Sequence, residues 1–426
     1  MKKFSVMLCL LVSMIAMAQY TGPGFYRVHN VYSDSYICIK GTAFKWSSNP
    51  DAFWSCIKML PAQDGTHVSD AGSIIYIPYL EQTSLYAQGV DTYSLTDLLM
   101  DVSLASESEG GLDTYVAITR TWITMGGTDV LFPFFFRDRG MGLTVAQSES
   151  KMAHWWIEPV NEESMETSYF GVAPASEAMQ DENGFYWTTL FCDFPYMLPV
   201  EGGVEGAYTV KSVTQDEDGN YRAGAVKVYG QGEVVPAATP VLLKCKSAVA
   251  SGNKVIPTGE IANNTVMPTQ QDLLMGNYFS TFINHNSMSD ASVMTQYVPE
   301  QATMASDCYL ALGVDAEGRL GFFPQEEGTY MTANTSWLTL EGLGLEGVTA
   351  VYLQEIEEPV VEPVILGDAD GDGKLSIKDV TTIIDYLMSS SDRAEVKCAD
   401  GADVNGDGAI RINDVTLLID ILMQMK

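Results

Sequence analysis

Two periodicities divide the chain. From Gln19 to Ile356 short apolar runs alternate with polar positions and are broken by turn residues, whereas from Ile365 to Lys426 apolar residues recur at helical spacing. Aromatic and β-branched alternation over roughly four to eight residues marks strands. Gly24–Val28, Tyr36–Ile39, Ser73–Ile77, Ser84–Ala87, Thr114–Ile118 and Leu131–Phe136 all read this way. They fall into three portions of about 45 residues, and threefold repetition of strand pairs predicts a β-trefoil-like domain, since a closed barrel leaves no sheet edge. We place it at 19–161, closing on Trp155 to Val160, with Ser94 to Ala105 as its one helical segment.

From 164 to 356 strands follow at Phe185–Leu190, Ala207–Val210, Ala225–Tyr229, Thr239–Lys244, Tyr309–Leu312 and Leu320–Phe323. Asp218-Gly219-Asn220 marks a hairpin turn, and the density of turn signals predicts a β-sandwich-like domain. Ile261 to Glu300 is polar and reads as an extended insertion or loop. Residues 357–364 form a linker rich in Pro and Glu, which favours an extended spacer.

The last segment changes the picture. Val380, Ile383, Ile384, Leu387 and Met388 recur at i, i+3, i+4, i+7 and i+8, and Val415, Leu418, Ile419, Leu422 and Met423 repeat the set 35 residues later. An oxygen-rich loop precedes each helix, and no comparable helix precedes either loop. Calcium takes about six to eight oxygens from loop positions 1, 3, 5, 7 (a backbone carbonyl), 9 and 12. In the first loop these are Asp368, Asp370, Asp372, Lys374, Ser376 and Asp379; in the second they are Asp403, Asn405, Asp407, Ala409, Arg411 and Asp414. Gly373 and Gly408 stand at position 6, where the chain turns sharply. Leu375 and Ile410, at position 8, face a core. Arg411 is a poor ligand, so water fills position 9 of the second loop. Position 12 is Asp, whose shorter arm requires a loop held close to its helix. The spacing predicts two calcium ions.

Composition narrows the remaining choices. The 426 residues carry 23 Lys plus Arg against 55 Asp plus Glu, a net charge of −32. Without a basic cluster, nucleic acid is excluded as a partner. Met1–Lys3, the apolar run Phe4–Met14 and Ala16-Met17-Ala18 read as a signal peptide over 1–18, cleaved after Ala18, and no later stretch is long and apolar enough to span a membrane. The expected location is extracellular, with attachment to a cell surface allowed. Six cysteines remain after cleavage. Cys38–Cys56 and Cys192–Cys245 are candidate bridges, with buried thiols on strands as the equal alternative.

The duplicated loop and exit helix resemble the dockerin type I family over 365–426, a small α-helical fold with two F-hand repeats. The resemblance implies that this part folds on calcium and docks onto a cohesin of a scaffold or cell-surface protein. Docking would use loop positions 10 and 11, here Ile377, Lys378, Ile412 and Asn413. These depart from the Ser-Thr type pair common in the family, so cohesin specificity does not carry over. Gly24–Val28, Tyr36-Ile37 and Trp156–Val160 resemble ricin-type trefoil regions of secreted bacterial proteins, without the Gln-x-Trp signature of the lectins. Val234–Lys244 and Tyr309–Leu338 resemble a β-sandwich module of exported proteins from gut anaerobes, which implies fold and location alone.

No catalytic motif accompanies these modules. Asp181-Glu182 and Asp216-Glu217-Asp218 stand in turn contexts, and His29, His67, His154 and His285 belong to no HExxH or nucleophile set. Trp46, Trp54, Trp155 and Trp156 fit either a core or a sugar-stacking role. Three functions remain: a dockerin-bearing protein whose β modules bind polysaccharide, a glycoside hydrolase delivered by its dockerin, and a structural surface protein with a calcium-stabilised tail.

Overall fold

In a computed structural model of the chain, the described residues are 20–39, 57–80, 100–105, 114–125, 128–138, 143–259, 269–278, 281–283, 303–304, 309–325, 330–340, 342–345, 347–357, 366–371, 374–388 and 399–424. The chain divides into two compact units, Met1–Ile356 and Glu357–Lys426. The proposed signal peptide, most of the linker, Ser84–Ala87, Trp46, Trp54 and His285 lie outside the described residues, as do Cys56, Cys308 and Cys398.

The first unit is β-rich. Its opening strands are β1 (Gly24–Asn30), β2 (Ser35–Ile39), β3 (Ile57–Pro61), β4 (Ile75–Ile77), β5 (Met100–Leu104), β6 (Tyr115–Met125), β7 (Thr128–Asp138), β8 (Leu143–Ala146) and β9 (Trp155–Pro159). They form one sheet in the order β3-β2-β1-β9-β6-β7-β8, with β4 on β1 and β5 on β6. β1 is its hub, pairing antiparallel with β2, β4 and β9. The expected helix at Ser94–Ala105 is not found where the chain is described, because Met100–Leu104 is a strand in register with Tyr115–Thr119. A sheet partner overrides the ambiguous local pattern.

Polar groups on β1 are buried and satisfied. The Arg27 guanidinium donates to Ser73 Oγ at 3.0 Å, Ser168 Oγ at 3.4 Å and the Val68 carbonyl at 3.4 Å. Burial lowers its pKa to about 10 against the opposing pull of Tyr36 and Glu158, so it stays charged at neutral pH. Two residues along, the His29 ring nitrogens lie 2.9 Å from both Glu158 and Asp34. Tyr36 stacks between His29 and His67, with ring centroids 4.3 and 4.0 Å away, and its hydroxyl donates to Glu158 at 3.1 Å. Trp155 is buried and donates its indole N–H to the Phe136 carbonyl, which gives it a core role.

The following strands are β10 (Phe170–Gly171), β11 (Tyr186–Leu190), β12 (Tyr196–Met197), β13 (Val204–Gln215), β14 (Tyr221–Gly230), β15 (Val234–Val235), β16 (Val241–Cys245), β17 (Lys254–Pro257), β18 (Thr269–Gln271), β19 (Leu274–Asn277), β20 (Thr281–Ile283), β21 (Thr303–Met304), β22 (Tyr309–Val314), β23 (Leu320–Pro324), β24 (Tyr330–Met331), β25 (Thr335–Thr339) and β26 (Val351–Glu355). Ten of them form a sheet in the order β11-β16-β13-β14-β26-β23-β22-β25-β19-β18, with β14 and β26 parallel. Trp187, Tyr208 and Leu242 from its first half share one core with Leu310, Phe322 and Leu338 from its second. The sheet therefore curls over its own apolar face. Ser336 fastens the curl, its hydroxyl donating to the Leu190 carbonyl and accepting the Val241 N–H, both at 3.0 Å. The expected insertion at Ile261–Glu300 contains the β18–β19 hairpin and β20.

A second core runs across residues 161–164. Phe25, Ala71, Ile74 and Val160 pack with Phe170, Phe194, Leu243 and Val255. Cys192 and Cys245 sit in this cluster as separate buried thiols rather than a bridge. Burial pushes the Cys245 thiol up to about 12, and Cys192 rises for the same reason.

Three turns of this unit share one design, Asp-x-x-Gly-x, starting at Asp181, Asp216 and Asp315. In each, the glycine N–H returns to the aspartate carbonyl, at 3.0 Å. Each aspartate side chain also accepts the backbone N–H groups two and four residues on. The glycines adopt φ of 84°, 83° and 79°, a region that L side chains avoid. These carboxylates are turn organisers.

Candidate calcium loops and docking face

The second unit contains α1 (Ile377–Met388), α2 (Ala399–Ala402) and α3 (Ile412–Gln424). α2 is the short helical turn before the second loop, where no helix is expected from the sequence. Val380 and Ile383 of α1 and Val415 and Leu418 of α3 meet Ala369, Ala402 and Val404 in a small core, with Leu375 and Ile410 packed against it. Position 8 of each loop is thus anchored as its apolar character predicts. Gly367 has a φ of 99°, which L side chains rarely adopt, and an added Cβ would press on the ends of Leu418 and Leu375.

The position-12 aspartates join each loop to its helix. Asp379 is fully buried in the first turn of α1. Its Oδ1 accepts the N–H groups of Ala369 and Asp370 at 3.0 and 3.2 Å, and its Oδ2 accepts the Ser376 N–H at 2.8 Å. Ser376 caps α1, its hydroxyl accepting the Lys378 N–H at 3.1 Å and donating to Asp379 at 3.2 Å. Ser376 and Asp379 thus form a capping box. Asp414 repeats the arrangement, accepting the Asn405 N–H at 3.0 Å and the Arg411 N–H at 2.7 Å. The short Asp arm is explained: position 12 is also the third residue of the helix, so the loop closes tightly on it.

The first loop gathers carboxylates. One oxygen each from Asp368, Asp370 and Asp379 lie within 4.8 Å of one another, and Asp368 and Asp379 are buried. Three carboxylates so close, two of them out of solvent, repel one another, and a cation joining them would offset that repulsion. All-oxygen donors of this kind suit calcium, which would neutralise them and fix the loop. Ser376 is half-buried beside them, the Lys374 side chain is exposed, and Asp372 and Gly373 lie outside the described residues.

The second loop is held by bonds within its own chain. Asp403 accepts the Asp407 N–H at 3.1 Å and the Gly408 N–H at 2.7 Å. Asn405 Oδ1 accepts the Asp407 N–H at 2.8 Å, and Asp407 accepts the Ala409 N–H at 3.0 Å. Arg411 pairs with Asp407 at 2.8 Å. Gly408 has a φ of 83°, as its place at position 6 requires.

Only part of each expected apolar stripe is buried. Leu387, Met388, Ile419 and Met423 are exposed, and so is Leu417, which the sequence pattern did not single out. Ile377 and Ile412, at position 10 of the two loops, are 68% and 64% exposed. Lys378 and Asn413 beside them are exposed as well. An isoleucine so exposed forgoes about 1–2 kcal/mol of burial.

No helix among the described residues is long and apolar enough to cross a membrane. No curated protein and no solved structure matches the chain. A family model does: residues 366–423 match the Dockerin type I domain. The chain is therefore a mainly β modular protein that carries at 366–423 a dockerin type I domain, a calcium-binding module that pairs with a cohesin.

Proposed function

We propose that the protein is exported and attaches, through its dockerin domain, to a cohesin on a scaffold or cell surface, while its β unit binds polysaccharide without catalysis. The observation that carries the attachment is the exposed isoleucine pair, Ile377 and Ile412, repeated 35 residues apart at the helix starts. Two calcium ions, one per loop, would order these helix starts through Asp379 and Asp414. A β-trefoil-like arrangement over 19–161 is supported by β1 pairing with both β4 and β9, and a sandwich-like one over 164–356 by the curled ten-stranded sheet. The non-catalytic reading is supported by the turn roles of Asp181 and Asp216.

Pull-down with the full chain should recover a cohesin-bearing protein with calcium and release it with chelator. Ile377→Asp with Ile412→Asp should abolish capture while calcium binding persists. Capture that survives the double substitution would remove the docking face from this reading. Reducing-sugar release abolished by one Asp or Glu substitution would replace the binding role of the β unit with hydrolysis.

A further inference from the structure

The two loops are equivalent in position but differ in ligand type, with Asp370 and Ser376 in the first where the second has Asn405 and Arg411. In the first, three carboxylate oxygens converge within 4.8 Å. In the second, Asp403 holds the N–H groups of Asp407 and Gly408, Asn405 holds Asp407, and Asp407 holds Ala409. The last oxygen of Asp407 is taken by Arg411 at 2.8 Å. Arg411 occupies position 9, where the first loop has Ser376. The second loop also has a neutral Asn405 where the first has Asp370, so it offers three carboxylates against four.

We propose that Arg411 sets the calcium affinity of the second loop, holding Asp407 and placing a positive charge where a ligand belongs, so that the two loops fill in sequence, the first before the second. This rests on the calcium reading of the domain and goes beyond it by making the sites unequal. The pair itself is solvent-exposed, the side chains being 60% and 38% accessible, so its own strength is small. Its effect comes from position. A divalent ion entering the loop meets a guanidinium fixed on one of its ligands, and it must displace that cation before Asp407 can turn inward. The cations of the first loop differ in place: Lys374 stands at position 7, which serves through its carbonyl, and Lys378 at position 11, and both side chains are exposed.

Calorimetric titration of the full chain with calcium tests this. Wild type should bind in two steps. Asp370→Ala should remove the tighter step and Asp403→Ala the weaker one. Arg411→Ser should tighten the weaker step by about tenfold and leave the tighter one unchanged, whereas Arg411→Lys, which keeps the charge, should stay near wild type. Ser376→Arg should weaken the first step in return. Far-UV circular dichroism at saturating calcium checks that each variant is folded. Two equal sites in wild type, or an Arg411→Ser variant with unchanged affinities, would overturn the proposal while leaving calcium binding intact. Absence of any calcium heat in wild type would instead overturn the calcium reading on which it rests.

Discussion

Aspartate does opposite work in the two units. In the β unit, Asp181, Asp216 and Asp315 each accept backbone N–H groups of their own turn, and Asp181 also takes the Trp187 indole N–H at 2.8 Å. In the first loop of the dockerin domain, Asp368, Asp370 and Asp379 converge on one another. A carboxylate that its own turn satisfies is finished chemistry. Carboxylates that converge repel one another even with backbone N–H groups on Asp379, and a bound cation would relieve that repulsion. Stability of the β unit should therefore rest on apolar burial, and that of the domain on metal.

The comparison can be broken most decisively at Trp187. It is buried, stacks edge-on to Tyr208 with centroids 4.9 Å apart, and lies in the core of the ten-stranded sheet. Trp187→Ala should destabilise the β unit by about 3–5 kcal/mol in denaturant unfolding while calcium binding is unchanged. Coupled loss of calcium binding would show that the two units do not stand on separate footings.

Calcium removal is the reciprocal test. A ligand at about a hundredfold over its dissociation constant stabilises by about 2.7 kcal/mol, so chelation should remove that much from the domain. Hydrogen exchange should quicken in α1 and α3 and stay slow in β13, β14 and β16. Uniform quickening, or none, would contradict the division.

A smaller effect separates titration within the β unit from metal binding. His67 has its pKa lowered to about 4, first by burial and then by the Arg27 charge. The unfolded chain, with an ordinary histidine, takes up the proton first as pH falls. The contribution is therefore full above about pH 6.5 and is lost between there and about pH 4. Half-exposure cuts it to about 1–2 kcal/mol. His67→Phe should flatten unfolding stability across this window, whether or not calcium is present; an unchanged slope would remove His67 as the source. The smallest change expected is at the turns: Asp315→Asn should lower the unfolding midpoint only slightly and leave the strands in place.

How much could be read beforehand follows the same division. The loop pattern is legible because all twelve of its positions are consecutive, from Asp368 to Asp379. The hairpin turn at Asp216–Asn220 was legible for the same reason. Met100–Leu104 is not legible as a strand from its own residues, because its partner, Tyr115–Thr119, is what makes it one. Spacing does not decide between bridge and thiol for Cys192 and Cys245, since it says nothing about which faces the strands present.

The sequence by itself determined the local chemistry: ligand spacing, the position-6 glycine at Gly408, the helix periods, and the turn-forming aspartates. These depend on contacts a few residues apart, where the backbone leaves few choices. Tertiary structure alone decided that β1 joins β9 across the whole first stretch, that β14 and β26 run parallel, and that one apolar core joins both halves of a ten-stranded sheet. It also decided that Ile377 and Ile412 stay in solvent while Val380 and Val415 do not, and that Arg411 lies on Asp407. Burial and ion pairing depend on what packs opposite, and hydrophobicity along the chain does not carry that information.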